Sequence, residues 1–183
     1  MKSDNLISAL DKINTELILP EYLQEICIAI TKGSITREKV DKILADHSVN
    51  HSVAKVSFLH LIFAYIGISL ADDILTDYEK EDIKFLKKLF QIQRGDFYLH
   101  NKPDVEKTIS LQLSKIYQDN LITKKEAKLK VDIQEIFDLS FDQMNDYSKI
   151  EAAVSIRKGI DVKDLDVFFT YDEYFKLKSG SGD

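Results

Sequence analysis

The stretch "ADDILTDYEKED", Ala71 to Asp82, places six carboxylates within twelve residues. It follows the most apolar run of the chain. Carboxylates at that density supply hard oxygen donors of the kind that suit Ca²⁺ or Mg²⁺, or that receive Lys and Arg from a partner. The first of them, Asp72, falls where the preceding helix is expected to end. A helix C-terminus carries partial negative charge, so an acid there is disfavoured by a few tenths of a kcal/mol. Asp119 occupies the equivalent place in a second copy of the pattern. Three compensations remain open at this point: plain solvation at an exposed turn, a bound cation, or a basic group on a partner.

The pattern itself appears three times, as "KGSITREK", "DDILTDYE" and "DNLITKKE". Thr36, Thr76 and Thr123 anchor the copies, spaced 40 and 47 residues apart. Three positions before each Thr stands Gly33, Asp73 or Asn120, residue types that best tolerate the left-handed backbone that stops a helix. One position before each Thr stands an aliphatic residue, Ile35, Leu75 or Ile122, placed to staple the entry of the next helix. Each Thr then caps that helix, and Glu79 and Glu126 complete capping boxes with Thr76 and Thr123. The match continues in phase, Leu86 with Ile133, Leu89 with Ile136 and Phe90 with Phe137. An internally duplicated helix–turn–helix unit is expected.

The elements around these turns read as helices. Six glycines, two prolines and no tryptophan in 183 residues leave few breakers. Apolar residues recur at helical spacing over Asn5 to Ile18, from Pro20 to Lys32, and after Thr36, where Val40, Ile43 and Leu44 face inward. "DHSVNHS" is a polar connector. A central apolar helix ends near Ala71, and another runs from Thr76 toward Gly95. Pro103 and Asp104 start the next, Thr123 the one after, and Ser140 or Ser148 the one that stops at Gly159. Asp161 could cap a short turn, and Thr170 with Glu173 has capping-box spacing for a last helix. "LDVFF" is the one candidate strand. The expected fold is an all-α bundle of about eight or nine helices. It forms a single domain over 1–178, with a flexible tail at 179–183.

Charge and chemistry narrow the function. Formal net charge is −6, which argues against nucleic acid and favours cations or basic protein surfaces. The longest uncharged run, Val56 to Ala71, has 16 residues. That is short of the roughly 18–20 needed to span a bilayer, so it reads as a buried helix, and only peripheral membrane association is expected. Cys27, the only cysteine, sits in an apolar helical pattern and reads as an inert buried thiol. "MKSDNLISAL" has no signal-peptide pattern, and a cytoplasmic setting is expected.

His47 and His51 are four apart and could present two imidazoles to zinc, but they lie in the connector without a full ligand set. His60 reads as a core or partner-facing histidine. Tyr147, Phe168, Phe169, Tyr171, Tyr174 and Phe175 read first as core and alternatively as an interaction patch. No nucleophile with a base, and no cofactor fingerprint, stands out, so no catalytic residue is expected.

Ala71-Asp72-Asp73-Ile74-Leu75-Thr76-x-x-Glu79, set between an apolar and an amphipathic helix, resembles the signature loop of the TerB-like (tellurite-resistance B) proteins. Their usual form is Ala-Asp-Gly, a variable residue, an aliphatic, a capping residue, two variable residues and Glu. The resemblance covers about residues 26–137. It implies an all-α bundle with a duplicated unit, acidic metal-associated loops, and a role in stress response, membrane-associated complexes or phage defence. The implied metal residues are Asp72, Asp73 and Glu79, with Asp119, Asn120 and Glu126 in the second copy. Asp73 stands here for the family's glycine and Gln118 for its alanine, and the Thr36 copy carries Lys32 and Lys39 instead of acids. An EF-hand does not fit, because its first two ligand positions would fall on Ile68 and Leu70. The expected function is non-enzymatic binding: an adaptor of a stress-response or defence system with a protein partner, and Ca²⁺ or Mg²⁺ as the candidate cation. The alternative is an immunity protein that masks a basic toxin with an acidic surface.

Thr76→Ala and Thr123→Ala are each expected to cost about 1 kcal/mol, the usual loss of a cap. Denaturant midpoints check this, and unchanged midpoints in both variants would remove the capping assignment.

Overall fold

The computed structural model describes residues 3–33, 35–118, 121–161 and 165–179. Among them nine helices and no strands are found. The all-α reading therefore holds. The chain forms two compact units, Met1–Asn101 and Lys102–Asp183.

The first unit contains α1 (Asp4–Glu16), α2 (Glu21–Thr31), α3 (Arg37–Asp46), α4 (His51–Ser69), α5 (Asp77–Leu89) and the start of α6 (Asp96–Ile116). α4 lies at its centre and touches α1, α3 and α5. Its 19 residues are long and apolar enough in composition to cross a membrane, and 44% of the qualifying window is buried inside the protein. Leu6, Leu10, Leu23, Ile26, Val40, Ile43, Leu59, Ile62, Ile83 and Leu86 are buried around it. Phe58 of α4 stacks on Phe90 just past α5, with centroids 4.2 Å apart and planes 5° from parallel. Burying each such side chain contributes about 1.5–3 kcal/mol.

Three boundaries differ from the sequence expectation, at α4, α5 and α6. α4 begins at His51 because the Asn50 side chain accepts from Val53 N–H (2.9 Å) and caps it inside the expected connector. α5 stops at Leu89, several residues before Gly95, because Gln91 takes the left-handed conformation (φ 55°). The same device closes α3 at Ser48 (φ 57°) and α7 at Asp138 (φ 55°). In each, the next N–H reaches back to close the last turn: Val49 to Leu44 O, Ile92 to Lys87 O and Leu139 to Gln134 O. These are Schellman ends built without glycine. Gly33 (φ 74°) ends α2 as expected. Asp73 is also left-handed (φ 60°), but it lies three residues beyond Leu70, the C-cap of α4, at the end of an extra turn. Asn120 lies outside the described residues.

α6 starts at Asp96 rather than Pro103. Its backbone leaves helical geometry at Asn101 (φ −133°, ψ 27°). Pro103 explains the break, since its ring lacks an N–H and crowds the turn before it.

The second unit contains the rest of α6, then α7 (Lys124–Ile136), α8 (Phe141–Arg157) and α9 (Tyr171–Lys178). Val105, Ile109, Leu113, Leu129, Ile133, Met144, Ala152 and Ile156 are buried in it. Ser140 caps α8 in a capping box with Gln143. Ser148 is instead buried in mid-helix, where its hydroxyl donates to Met144 O (2.8 Å). "LDVFF" is not a strand: no neighbouring strand is there to pair with it among the described residues. The expected cap at Asp161 would act on 162–164, which lie outside the described residues, as does most of the expected tail.

One buried charge organises the first unit. Asp82 of α5 is 1% exposed. Its carboxylate accepts from Ser3 N–H (3.2 Å), from the Ser3 hydroxyl, and from the Tyr65 hydroxyl of α4 (3.1 Å). Ser3 in turn caps α1 by accepting from Leu6 N–H (3.1 Å). Burial, and then the Asp82 charge, push the Tyr65 phenol above its ordinary value, so it stays a donor. Asp82→Ala would leave buried donors unmatched and is expected to cost about 3 kcal/mol, whereas Tyr65→Phe removes one bond and costs about 1 kcal/mol. Urea unfolding compares the two. Equal losses would mean that the carboxylate does no more than hold one hydroxyl.

Candidate functional site

The acidic turns come first. The Asp72 carboxylate accepts from Ile74 N–H (3.2 Å), which folds it into a local turn. Glu79 turns back on its own cap, accepting from the Thr76 N–H (2.8 Å) and hydroxyl (2.7 Å). Glu126 does the same at Thr123 N–H (2.7 Å). Asp72, Asp73 and Glu79 belong to the first unit and Glu126 to the second; Asp119 and Asn120 lie outside the described residues. Among the described residues no group of three or more His, Cys, Asp or Glu side chains is placed to hold one metal ion. Capping accounts for Glu79 and Glu126 without a ligand.

The histidines separate onto two helices. His47 is the C-cap of α3, and His51 is the first residue of α4, with left-handed Ser48 between them. His47 Nε2 meets Glu25 (3.2 Å), while His51 Nε2 meets Asp41 (2.6 Å) and the Gln91 amide (3.2 Å). Arg37 donates to Gln91 Oε1 (2.6 Å) and extends this chain. The His47 pair ties the end of α3 to α2, and the His51 pair ties α4 to α3. His60 is exposed on α4, so its core reading does not hold. Burial pushes the Cys27 thiol up to about 12, with a further push from Asp11, which leaves it inert at neutral pH.

The second unit carries the more informative surface. Lys130, Val131 and Gln134 of α7, Phe141, Met144 and Asn145 of α8, and the segment 166–168 line a groove of about 430 Å³. The segment is held by its main chain. The Asn145 amide donates to Phe168 O (3.0 Å) and accepts from Phe168 N–H (2.9 Å), as a neighbouring strand would. Lys130 donates to the carbonyl of left-handed Asp166 and lies 3.4 Å from its carboxylate. One helical turn on, Lys149 holds both oxygens of Glu173 (2.9 and 3.1 Å) and sits 5.9 Å from the Phe169 ring centre. Glu173 also closes the capping box of α9 with Thr170.

Of the aromatic-rich end, Phe168, Tyr171 and Phe175 are not core, while Tyr147, Phe169 and Tyr174 are half-buried. Phe141, Phe168, Tyr171 and Phe175 are 68%, 65%, 79% and 61% exposed, and α9 buries no residue. Tyr171 and Phe175 stack on each other at 6.2 Å in solvent. Large aromatics left outside in this number mark an interaction surface more readily than a folding defect. A second groove, of about 670 Å³, lies beside Ile7, Ile30, Gly33 and Phe85 in the first unit.

With these sites laid out, comparison with known proteins adds nothing: no family model, no curated protein and no solved structure matches the chain.

Sequence reasoning passed over Asn145, Lys149 and Asp82. Asn145 and Lys149 lie in the middle of an amphipathic helix and have no cap or turn role to announce them. Only the distant segment they grip reveals them. The Thr170–Glu173 box, by contrast, was visible in spacing alone.

The Lys149 ammonium, with the Thr170 N–H and hydroxyl, holds the Glu173 carboxyl down at about 2. A depressed carboxyl contributes stability above its ordinary range, about 4.3, and loses it as pH falls toward about 2. Local protection of 166–178 is therefore expected to fade across that acid window. An NMR titration of the Glu173 side chain checks it. Lys149→Met is expected to return the midpoint toward the ordinary range, and an unchanged midpoint would remove Lys149 as the cause.

Proposed function

We propose that this chain is a non-enzymatic binding protein, an adaptor whose partner contacts the exposed aromatic face of the second unit. The observation that carries the reading is the set of exposed rings: Phe141 and Phe168 at a groove whose polar groups grip main chain, and Tyr171 and Phe175 on α9. Interface cores are enriched in such aromatics and depleted in charge. The resemblance to TerB-like proteins belongs to the same proposal. It is supported by the helical fold, by caps at Thr36, Thr76 and Thr123, and by the left-handed stops at Gly33 and Asp73. A role in stress response or defence rests on that resemblance alone.

A second reading has its own observation. Asp72, Asp73, Asp77 and Glu81 are exposed together after α4, an acidic strip suited to a basic partner such as a toxin surface, or to a cation.

The two are separated by capture from native lysate with three baits: wild type, Phe141→Ser with Phe175→Ser, and Asp72→Asn with Asp77→Asn. All carry surface changes and are expected to keep the wild-type melting temperature. The adaptor reading expects a partner retained by wild type and by the Asp variant and lost from the Phe variant. Loss only from the Asp variant would transfer the function to the acidic strip. Calorimetric titration of Ca²⁺ and Mg²⁺ into chelator-treated protein tests the cation.

A further inference from the structure

The segment from Asp166 through α9 is seated on α8 in an unusual way. Its grip is polar and main-chain directed, with Phe168, Tyr171 and Phe175 outward, while Val167, Phe169, Tyr174 and Leu177 are half-buried. Asn145 pairs with both the N–H and the carbonyl of Phe168. Lys130 holds the carbonyl of Asp166, and Lys149 holds the Glu173 carboxylate. Phe168, Tyr171 and Phe175 stay in solvent, and α9 has no buried residue. An eight-residue helix is below the length at which helices persist alone, and α9 rests on α8 through a face that is only half-buried, at Glu173, Tyr174 and Leu177. Glu173 adds to its order twice, in the capping box and in the Lys149 pair. Removing that one carboxylate releases the latch and uncaps the helix together.

An amide that pairs with both main-chain groups of one residue recognises extended backbone whatever its side chains, and lysines flanking it select acids on either side. The α7–α8 face thus has the polar equipment of a site for an acidic–aromatic segment that is extended at Phe168 and helical at its second acid, and its own chain shows such a segment in place. We propose that Asp166–Lys178 is a displaceable strap, an intramolecular ligand on a peptide-docking face built from Lys130, Asn145 and Lys149. Its natural competitor is a segment of the same chemistry on a partner protein: an acid, an aromatic-rich extended stretch, then a second acid seven positions after the first in the opening turn of a helix. The proposal rests on the adaptor reading and names its site. It adds that the face is self-occupied, so the partner must outcompete the strap.

The apparent affinity of a self-occupied site is reduced by the fraction that stands open. That gives an ordered test with the full chain and a labelled peptide of residues 165–178, read by fluorescence anisotropy. Wild type is expected to bind weakly. Glu173→Lys, which repels Lys149 and uncaps α9 while leaving the docking face intact, is expected to bind about tenfold or more tightly. Asn145→Ala opens the strap as well but removes the main-chain grip, and is expected not to bind. Hydrogen exchange supplies an independent readout: amides of 166–178 should exchange well before those of central α8 in wild type, and earlier still in Glu173→Lys. Far-ultraviolet circular dichroism should show the loss of no more than one short helix in either variant.

The proposal is overturned if Glu173→Lys binds no better than wild type, if Asn145→Ala binds as well as Glu173→Lys, or if the strap exchanges as slowly as α8. Failure here with partner capture still dependent on Phe141 and Phe175 would remove the strap and leave the adaptor. Peptide binding without any captured partner would do the reverse.

Discussion

Short helices leave orphan N–H groups at one end and orphan carbonyls at the other, and this chain is governed by how it satisfies them. Thr36, Thr76, Thr123, Ser140 and Thr170 each accept from the third residue of the helix that follows. Ser48, Gln91, Asp138 and Gly159 turn left-handed, so that carbonyls of the last turn are met by the next N–H groups. Chain reversals are thereby set locally, within a few residues of each cap. The apolar faces then have few ways to meet, and the core of each unit follows from the directions these turns impose.

Two of the capping carboxylates are also where the functional question is decided. Glu79 and Glu126 are engaged by their own caps, and a carboxylate so engaged contributes less to a metal than free Asp or Glu would. Glu173 serves a cap and a distant lysine at once. That double use makes the last helix conditional on a tertiary contact. The same motif is thus pure local structure in two places and a candidate control point in the third.

Asp82 and Asn145 show opposite uses of a polar side chain. Asp82 is enclosed, with every interaction directed at holding α1, α4 and α5 together, and its replacement is a stability matter. Asn145 is half-buried at the rim of a groove and holds a segment whose Phe168, Tyr171 and Phe175 rings remain in water. Enclosure with several donors makes a rigid joint. A rim position with main-chain bonds makes a contact that another peptide can replace, because water and a competing backbone offer equivalent hydrogen bonds.

The sequence by itself determined the helices and most of their ends, since capping boxes, glycine stops and 3.6-residue periodicity are local and read directly from spacing. It missed the left-handed Gln91 and Ser48, because only the tertiary directions of the flanking helices require that conformation of residues with no special preference for it, and Asp138, whose type tolerates it, stood outside the repeated Thr pattern. It set Asp82 among surface acids, because charge density along the chain carries no information about which carboxylate turns inward. It placed the C-terminal aromatics in a core by default, because apolar character predicts burial and only packing shows whether a partner surface exists to bury them. The tertiary structure decided those points, and with them the candidate site. Lys130, Asn145 and Lys149 are ordinary helix residues until the segment from Asp166 to Glu173 is laid across them.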